Sequence, residues 1–417
     1  MRKPYRHHSV PTREGRANLL GVAQTDGSGS RVLLDGPATP LHPAARETLL
    51  AALDVGWADP RRRYAEGRRA ARLLDQAREV VAAGLGVRPD ELSFLPSAQV
   101  ALAHALSGVR YASRRRGART VASAVEHSAI LVPARDTAAK AADPGQLVEV
   151  PVDAEARVDL DAWAAAVAEP GVVVAALQSA NGEVGTRQPL AAARALTQQH
   201  GIPLVVDAMA GLGRDATPAP GSDYDVLVGD ARSWGGPAGV GVLVLPERVR
   251  WQRPGAPSEL ERGRTSAEPV IPLVLAAAEA WRQTEADRAQ EESEARALVD
   301  TIRRAAAQVP DTVVAGPSDD RLPHIVTFSA LFVDGEVLVD ELDRRGFAVA
   351  SGSACTASTL EPSHVLAAMG LLTHGNVRVT LPLRAVAPDR AEGVAAFCAA
   401  LPEAVAAVRA RLGTDRL

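Results

Sequence analysis

The sequence predicts an α/β protein built around a mostly parallel, doubly wound sheet. Seven short apolar runs favour β-strands, and they lie at residues 92–94, 120–122, 147–150, 172–177, 204–206, 226–228 and 241–245. Helical periodicity separates several of these runs, at residues 99–106, 160–168 and 190–200. Strands that alternate with helices are typical of a parallel sheet that is covered on both faces.

The segments that flank this alternation predict further elements. Residues 45–86 have apolar side chains at three- and four-residue spacing, which favours helix throughout. A long, charged helix is predicted over 270–309, after a break that is rich in arginine and proline. The remaining residues mix helices with strand candidates at 324–329, 347–351 and 376–380.

These patterns divide the chain into three parts. Residues 1–30 are polar and predict a flexible N-terminal arm. Residues 31–260 form the predicted large domain, which carries the parallel sheet. Residues 261–417 form a predicted smaller α/β domain at the C-terminal end.

Composition excludes several classes of function. The chain has 417 residues, 47% of them apolar, and a net charge of −4, which lacks the basic balance that nucleic-acid binding requires. No apolar stretch is long enough to span a membrane, and the basic start is not followed by the apolar segment of a signal peptide. The two cysteines, Cys355 and Cys398, do not have metal-ligand spacing. We therefore expect a cytoplasmic protein with no metal site.

Five residues whose side chains could bind or react with an amino-acid substrate lie in short, distinct segments. They are His127 in AVEH, Asn181 in NGEVGT, Asp207 in VDA, Cys355 in ASGSACT and Arg378 in GNVR. In this order, the segments resemble those of the cysteine desulfurases, which are class V aminotransferases of fold type I. The resemblance runs from about residue 33 to residue 382 and implies a fold-type I, aminotransferase-like architecture.

The resemblance implies a pyridoxal phosphate (PLP) site and assigns a role to each of these residues. His127 would stack on the cofactor ring, Asn181 would reach its phenolic oxygen, and Asp207 would keep its ring nitrogen protonated. Arg378 would orient the substrate carboxylate through two hydrogen bonds. Cys355 would accept sulfur as a persulfide.

One segment departs from the family pattern at its most important residue. Residues 229–241 resemble the motif S-x-H-K-x-x-G-P-x-G-x-G, but Ser233 stands where the family has the lysine that forms a Schiff base with the cofactor. Asp207 and Ser233 are 26 positions apart (233 − 207), the interval that the family motif requires. A serine hydroxyl does not form an imine, and the whole chain has only two lysines, Lys3 and Lys140.

The predicted phosphate end of the site departs from the pattern as well. Asp230 replaces a phosphate-binding serine, and Arg232 replaces the histidine before the lysine. Ser97, Ala98 and Gln99 lie in PSAQV, where the family has S-G-A-T-E. A carboxylate and a phosphate about 4 Å apart repel by about 4 kcal/mol per pair of unit charges at an effective dielectric constant of about 20. We therefore expect PLP to be absent or bound weakly and without a covalent link. We also expect Arg232 to fill the vacated cofactor pocket and to pair with Asp207 or Asp230.

The sequence leaves three functions open. The first is a desulfurase-like protein with a degenerate site, inactive as a desulfurase, which acts in sulfur metabolism as a partner, a regulator or a persulfide acceptor through Cys355. The second is an active enzyme of the family that binds PLP or pyridoxamine phosphate without a covalent link. The third is ordinary desulfurase activity with Lys140 in place of the missing lysine. The resemblance also implies a homodimer and a possible sulfur-transfer partner.

Overall fold

The computed structural model describes residues 31–140, 146–351 and 362–413. The predicted arm, 1–30, lies outside these residues. Ten helices are described: α1 (Pro43–Leu53), α2 (Ala65–Gly84), α3 (Ala98–Ser113), α4 (Ser128–Lys140), α5 (Leu160–Ala168), α6 (Leu190–Gln199), α7 (Ile271–Gln308), α8 (Gly335–Arg344), α9 (His364–Ala368) and α10 (Arg390–Leu412). The described strands are β1 (Val32–Leu33), β2 (Leu92–Leu95), β3 (Arg119–Ser123), β4 (Leu147–Val150), β5 (Val172–Gln178), β6 (Leu204–Asp207), β7 (Val226–Asp230), β8 (Gly241–Val244), β9 (Thr312–Val314), β10 (Ile325–Ala330), β11 (Phe347–Ala348) and β12 (Asn376–Thr380).

A seven-stranded sheet organises the first part of the chain. Its strand order is β2-β8-β7-β6-β5-β3-β4, and only β8 runs antiparallel to its neighbours. All seven strands coincide with the apolar runs in the sequence to within two residues at either end. The predicted α/β fold with a mostly parallel, doubly wound sheet is confirmed.

The central strand β5 explains why the sheet is covered on both faces. Each of its seven residues is buried. Ala175 and Leu177 belong to the apolar cluster on one face, whereas Val174 and Ala176 belong to the cluster on the other. Side chains alternate across a strand, so a run that is apolar at every position requires packing partners on both sides.

A second group of elements forms around two smaller sheets. Strands β12, β10 and β9 form an antiparallel sheet, and β1 pairs with β11 in parallel. Helices α8 and α10 pack here around Phe328, Leu338 and Phe397. The long helix α7 contributes Ile271 and Trp281 to the first core and residues 295–306 to this one. The division into domains at residues 31–260 and 261–417 stays a prediction.

The helix predicted over 45–86 is in fact two helices, so that prediction is wrong in one respect. α1 ends at Leu53 and α2 begins at Ala65. The intervening segment contains Gly56 and Pro60, and proline removes a backbone donor while it restricts the residue before it. The apolar spacing continues across this break, which is why it favours a single helix.

Helix α10 is the one described helix that is long and apolar enough to cross a membrane by length and composition. Its apolar side chains pack within the protein, where Phe397, Leu401, Val405 and Val408 are buried in the second core. Packing against α7 and α8 therefore accounts for its apolar composition.

Candidate active site

A cavity of about 450 Å³ lies at the carboxyl ends of the parallel strands. Chain order reverses between β3 and β5, because β4 lies on one side of β3 and β5, β6 and β7 lie on the other. Ligands of open α/β sheets bind at such a reversal. Eight of the residues predicted for the site line the cavity: Gln99, His127, Asn181, Asp207, Asp230, Arg232, Ser233 and Arg378.

His127 follows β3 and lies on the wall of the cavity. Its Nδ1 accepts a hydrogen bond from the backbone N–H of Ala129 at 3.0 Å, so Nδ1 is unprotonated. Burial lowers the pKa of His127 below its ordinary 6.5. A neutral imidazole with its proton on Nε2 is therefore the form that faces a ligand.

Asn181 organises the turn after β5. Its Oδ1 accepts hydrogen bonds from the backbone N–H groups of Glu183 and Val184, both at 2.9 Å. Its Nδ2 donates to the backbone oxygen of Val125 at 3.3 Å. The side chain thus connects the turn to the segment after β3, and it borders the cavity as the sequence predicts.

Asp207 ends β6 and is almost fully buried, with 4% of its surface exposed. Its Oδ1 accepts a hydrogen bond from the backbone N–H of Met209 at 2.8 Å. Burial raises the pKa of Asp207 from 3.8 to about 7, and the nearby carboxylate of Asp230 adds to the increase. A cation at this position would reverse that shift, because an opposite charge favours the ionised form.

A hydrogen-bonded group at the end of β7 contains Asp230, Arg232 and Ser233. Arg232 Nε donates to Asp230 Oδ1 at 2.9 Å, and its second terminal nitrogen donates to Oδ2 at 3.3 Å. Ser233 Oγ donates to the backbone oxygen of Asp230 at 2.6 Å. Arg232 pairs with Asp230, one of the two expected partners. The expectation that it fills the vacated pocket is wrong, because its side chain stays 42% exposed at the wall of the cavity.

The predicted phosphate end is only partly at the cavity. Gln99 lines it, whereas Ser97 and Ala98 are not among the lining residues. Ser97 Oγ caps α3 by accepting a hydrogen bond from the backbone N–H of Val100 at 3.2 Å, and Ala98 is fully buried. Arg264 donates to Ser93 Oγ and to the backbone oxygens of Glu91 and Leu245.

Arg378 lies on β12 and lines the cavity. The antiparallel pairing of β12 with β10 sets it beside Thr327. Its guanidinium is 3.9 Å from Asp35 and lowers the pKa of Glu183. Burial outweighs that effect and raises the pKa of Glu183 to about 7. Positive charge is therefore available at this wall of the cavity.

Cys355 lies outside the described residues. Among the described parts of the chain, no cluster of three or more histidine, cysteine, aspartate or glutamate side chains could hold a metal ion. The other cysteine, Cys398, is half-buried on α10, and burial raises the pKa of its thiol.

Comparison with known proteins identifies the family. The sequence model of the family described as aminotransferase class-V matches residues 32–387. The chain belongs to this family. A cysteine desulfurase of Cereibacter sphaeroides is 32% identical to the class V chain over 357 residues, which cover 84% of this chain and 90% of that protein. The cysteine desulfurase IscS of Dictyoglomus turgidum is 28% identical over 86% of this chain and 91% of its own length.

Solved structures agree with the class V assignment. A NifS-like protein superposes with a TM-score of 0.80 at 23% identity, and the match covers 89% of this chain and 98% of that one. DndA from Streptomyces lividans superposes with a TM-score of 0.68 at 26% identity over 82% of this chain and 97% of its own. The class V protein is therefore cysteine desulfurase-like in sequence, and its fold is the fold-type I architecture of these enzymes.

PLP is the cofactor of this class V family, and the cavity fits only part of it. Asp207 and His127 suit the ring, since one offers a buried carboxyl group and the other a neutral imidazole. No lysine is among the residues that line the cavity within the described chain, and Ser233 uses its hydroxyl in a backbone hydrogen bond. The ion pair of Asp230 with Arg232 replaces a phosphate cradle. The residues present do not fit a covalently attached cofactor.

Sequence reasoning missed several residues that border the same cavity, namely Glu126, Gln178, Glu183, Arg214, His324 and His364. Glu126 and Glu183 lie next to residues that the motifs single out, one directly before His127 and the other two positions after Asn181. Proximity to a motif was the available signal. Their burial follows from the fold and is not visible in a motif.

Proposed function

We propose that this protein is a cysteine desulfurase-like member of the family with a degenerate PLP site, which works in sulfur metabolism without forming a Schiff base. The supporting observation is the group at the end of β7, where Ser233 stands at the lysine position and Asp230 is paired with Arg232. Lysine would supply both the imine and a base for proton transfer, and positioned acid–base catalysis is worth about 10²- to 10⁴-fold in rate. Serine supplies neither.

The phosphate end supports the same proposal. Arg232 pairs with Asp230, so the guanidinium at this end of the cavity is already engaged by a carboxylate when a phosphate arrives. The N-terminus of α3 would still attract an anion, but such an attraction is worth only about 0.3–1 kcal/mol at an exposed site. Asp207 and His127, which would contact the cofactor ring, do not replace the binding free energy of the lost covalent bond.

The decisive experiment compares the wild-type protein with Ser233→Lys. Each is incubated with PLP, treated with borohydride and analysed by peptide mass spectrometry. We expect no reduced adduct on a cavity residue of the wild-type protein, because no lysine is among the described residues that line the cavity. The Ser233→Lys variant should acquire the adduct on residue 233, because that side chain already borders the cavity.

The triple variant Asp230→Ser, Arg232→His, Ser233→Lys serves as the matched control for the phosphate end. It should be labelled at a lower PLP concentration than the single variant, since the carboxylate is gone. An adduct on the wild-type protein, at Lys140 or elsewhere, would refute the proposal.

Cys355 is the residue that would carry out the sulfur chemistry of the proposed function. We propose that its thiol accepts a persulfide sulfur from a working desulfurase, which returns to its own thiol form as the sulfur–sulfur bond moves to Cys355. The test incubates the protein with an active desulfurase and L-cysteine, and then measures the mass of the Cys355 peptide. We expect a gain of one sulfur atom that disappears on reduction, with Cys355→Ser as the control. Labelling of Cys398 alone would eliminate the acceptor role.

A second candidate is an active enzyme that holds PLP or pyridoxamine phosphate without a covalent link. This candidate is favoured by the two residues expected to contact the cofactor ring, because the buried Asp207 and His127 both line the cavity. Micromolar binding of pyridoxamine phosphate to the wild-type protein, without a reducible adduct, would support this candidate over the first.

We also propose that the protein forms a homodimer, as its family resemblance implies. Three exposed apolar side chains, Leu53, Trp57 and Val270, line a common groove beside α1 and the start of α7. A second copy of the chain would remove this apolar surface from water.

A further inference from the structure

Two histidines line the cavity, and both are half-buried. One is His127, and the other is His364, the first residue of α9. His364 donates a hydrogen bond from Nε2 to the backbone oxygen of Glu126 at 2.9 Å, because a carbonyl oxygen only accepts. That oxygen belongs to the peptide unit that joins Glu126 to His127, so the two imidazole rings meet at one segment of the wall.

The two rings present opposite hydrogen-bonding atoms. A neutral imidazole has one N–H and one lone pair, and the lone pair of His127 is used by the backbone N–H of Ala129. His127 therefore offers only its Nε2–H to a ligand and is not a proton acceptor in this arrangement. His364 has its proton on Nε2, so its lone pair is on Nδ1. This Nδ1 has no hydrogen-bond partner among the described residues and is not sealed from solvent, so a ligand can reach it.

The surroundings of His364 keep its ring neutral at neutral pH. Burial lowers its pKa below the ordinary 6.5, and the hydrogen bond to the backbone of Glu126 offsets part of that decrease. The charged side chains that act on the ring are those of Arg135 on α4 and Glu149 on β4. These two form an ion pair with a nitrogen–oxygen distance of 2.6 Å, so their effects on His364 oppose one another. His127, the third group, is itself neutral because burial lowers its pKa.

A thiol is the proton donor that suits this acceptor. The pKa of a free thiol is about 8.5 and that of an imidazole about 6.5, so the transfer is unfavourable by only about a hundredfold in water. The guanidinium groups of Arg232 and Arg378 line the same cavity, and positive charge favours a thiolate. A hydroxyl group, with a pKa closer to the value of about 15.7 for water, would keep its proton.

We propose that His364 Nδ1 accepts the proton of a thiol that enters the cavity, while the Nε2–H of His127 donates a hydrogen bond to the sulfur. The S–H bond breaks, its electron pair stays on sulfur, and the proton forms the second N–H of His364. The products are a thiolate and an imidazolium. The inference rests on the proposed function and deepens it, because a thiolate is the form of sulfur that takes part in persulfide exchange.

The test compares 3-mercaptopropionate with 3-hydroxypropionate, which differ only in the sulfur or oxygen atom and carry no amine. Each is added to the full chain with Cys355→Ser, so that the added thiol is the one observed. The ultraviolet absorbance of the thiolate is read at about pH 7, where a free thiol is mostly protonated. We expect a thiolate signal that saturates with 3-mercaptopropionate. NMR of protein with nitrogen-labelled histidines should show that Nδ1 of His364 gains a proton with the thiol and not with the alcohol.

The variant His364→Gln can still donate to the backbone oxygen of Glu126, but its amide does not take up a proton. It should lower the thiolate signal by about tenfold or more, because no other lone pair is presented beside the sulfur. His200→Gln, at an exposed position after α6, makes the same substitution and should behave like the parent protein. Circular dichroism checks that both variants are folded, and the NMR measurement needs neither of them.

Four results would overturn the inference. They are the lack of any thiolate signal, an unchanged signal in His364→Gln, a His364 ring that stays neutral while thiolate forms, and equal protonation of His364 by the alcohol. Each is read on protein that borohydride and mass spectrometry show to have no reduced adduct on a cavity residue. Failure of the proposed function would be seen at that earlier step, so the two failures are distinguishable.

Discussion

Replacing Glu291 with alanine should lower the free energy of unfolding by about 3–5 kcal/mol, the range measured when one partner of a buried ion pair is removed. Glu291 Oε1 accepts hydrogen bonds from Arg390 at 2.5 Å and from Arg214 at 3.4 Å, and Oε2 accepts one from the backbone N–H of Arg384. Arg214 and Arg390 are both about 95% buried. Alanine would leave two buried guanidinium groups without this carboxylate.

The pKa values of this cluster agree with a charged carboxylate. Burial by itself would raise the pKa of Glu291, but Arg214 and Arg390 together bring it below its ordinary value. Burial lowers the pKa of Arg214 to about 10, and Glu291 offsets part of that decrease. Glu291 and Arg214 therefore stay charged at neutral pH, and the loss of the carboxylate is costly.

Urea denaturation followed by circular dichroism measures the effect. Glu279→Ala is the matched control, because it makes the same substitution on the same helix and breaks an exposed pair with Arg282. Exposed pairs contribute about 0–1 kcal/mol, so the control should change stability little. Equal losses in the two variants would contradict the assigned role of the buried cluster.

Replacing Asp207 with asparagine should stabilise the ligand-free protein, and by more at pH 8 than at pH 5. The pKa of Asp207 is about 7 in the folded protein against an ordinary 3.8, so the folded state keeps a proton that the unfolded state releases. The stability associated with this proton is fully present below pH 3.8 and is lost as the pH rises to about 7. Asparagine keeps the acceptor for Met209 N–H and does not ionise.

The size of the effect follows from the shift in pKa. One pKa unit corresponds to about 1.4 kcal/mol, so the full shift is worth on the order of 4 kcal/mol, and the part between pH 5 and pH 8 about 2–3 kcal/mol. Thermal unfolding at the two pH values measures it, with Asp75→Asn on the exposed surface of α2 as a control for the loss of a carboxylate. A stabilisation that is equal at both pH values would show that Asp207 does not carry this proton.

The fold was predictable because its main signal is local. Strand β5 is apolar from Val172 to Leu177, and the residues at the carboxyl ends of parallel strands meet at one edge of the sheet. The resemblance to the cysteine desulfurases implies that His127, Asn181, Asp207 and Ser233 share one site, and all four line the cavity. The break between α1 and α2 was missed because apolar spacing continues across it, although Gly56 and Pro60 interrupt the helix.

The electrostatics of the cavity were less predictable, because pairing depends on what distant segments bring to the same place. The sequence left open whether Arg232 would pair with Asp207 or Asp230. The tight turn after β7 brings Arg232 Nε to 2.9 Å from Asp230 Oδ1. Glu126 is a separate case. Its neighbour His127 was singled out by a motif. The contacts of Glu126 itself, with Gln178 of β5 and His364 of α9, come from segments that are distant in the sequence.

Helix α7 limits how the molecule can admit a ligand. Its 38 residues form an unbroken rod of about 57 Å at 1.5 Å per residue, and its two ends are embedded in different apolar cores. A hinge that swung the β12 side of the cavity away from the β6 side would have to bend this rod or pull one end out of its core. Because both ends of α7 are anchored, the two groups of elements that border the cavity should keep their relative positions when a ligand enters.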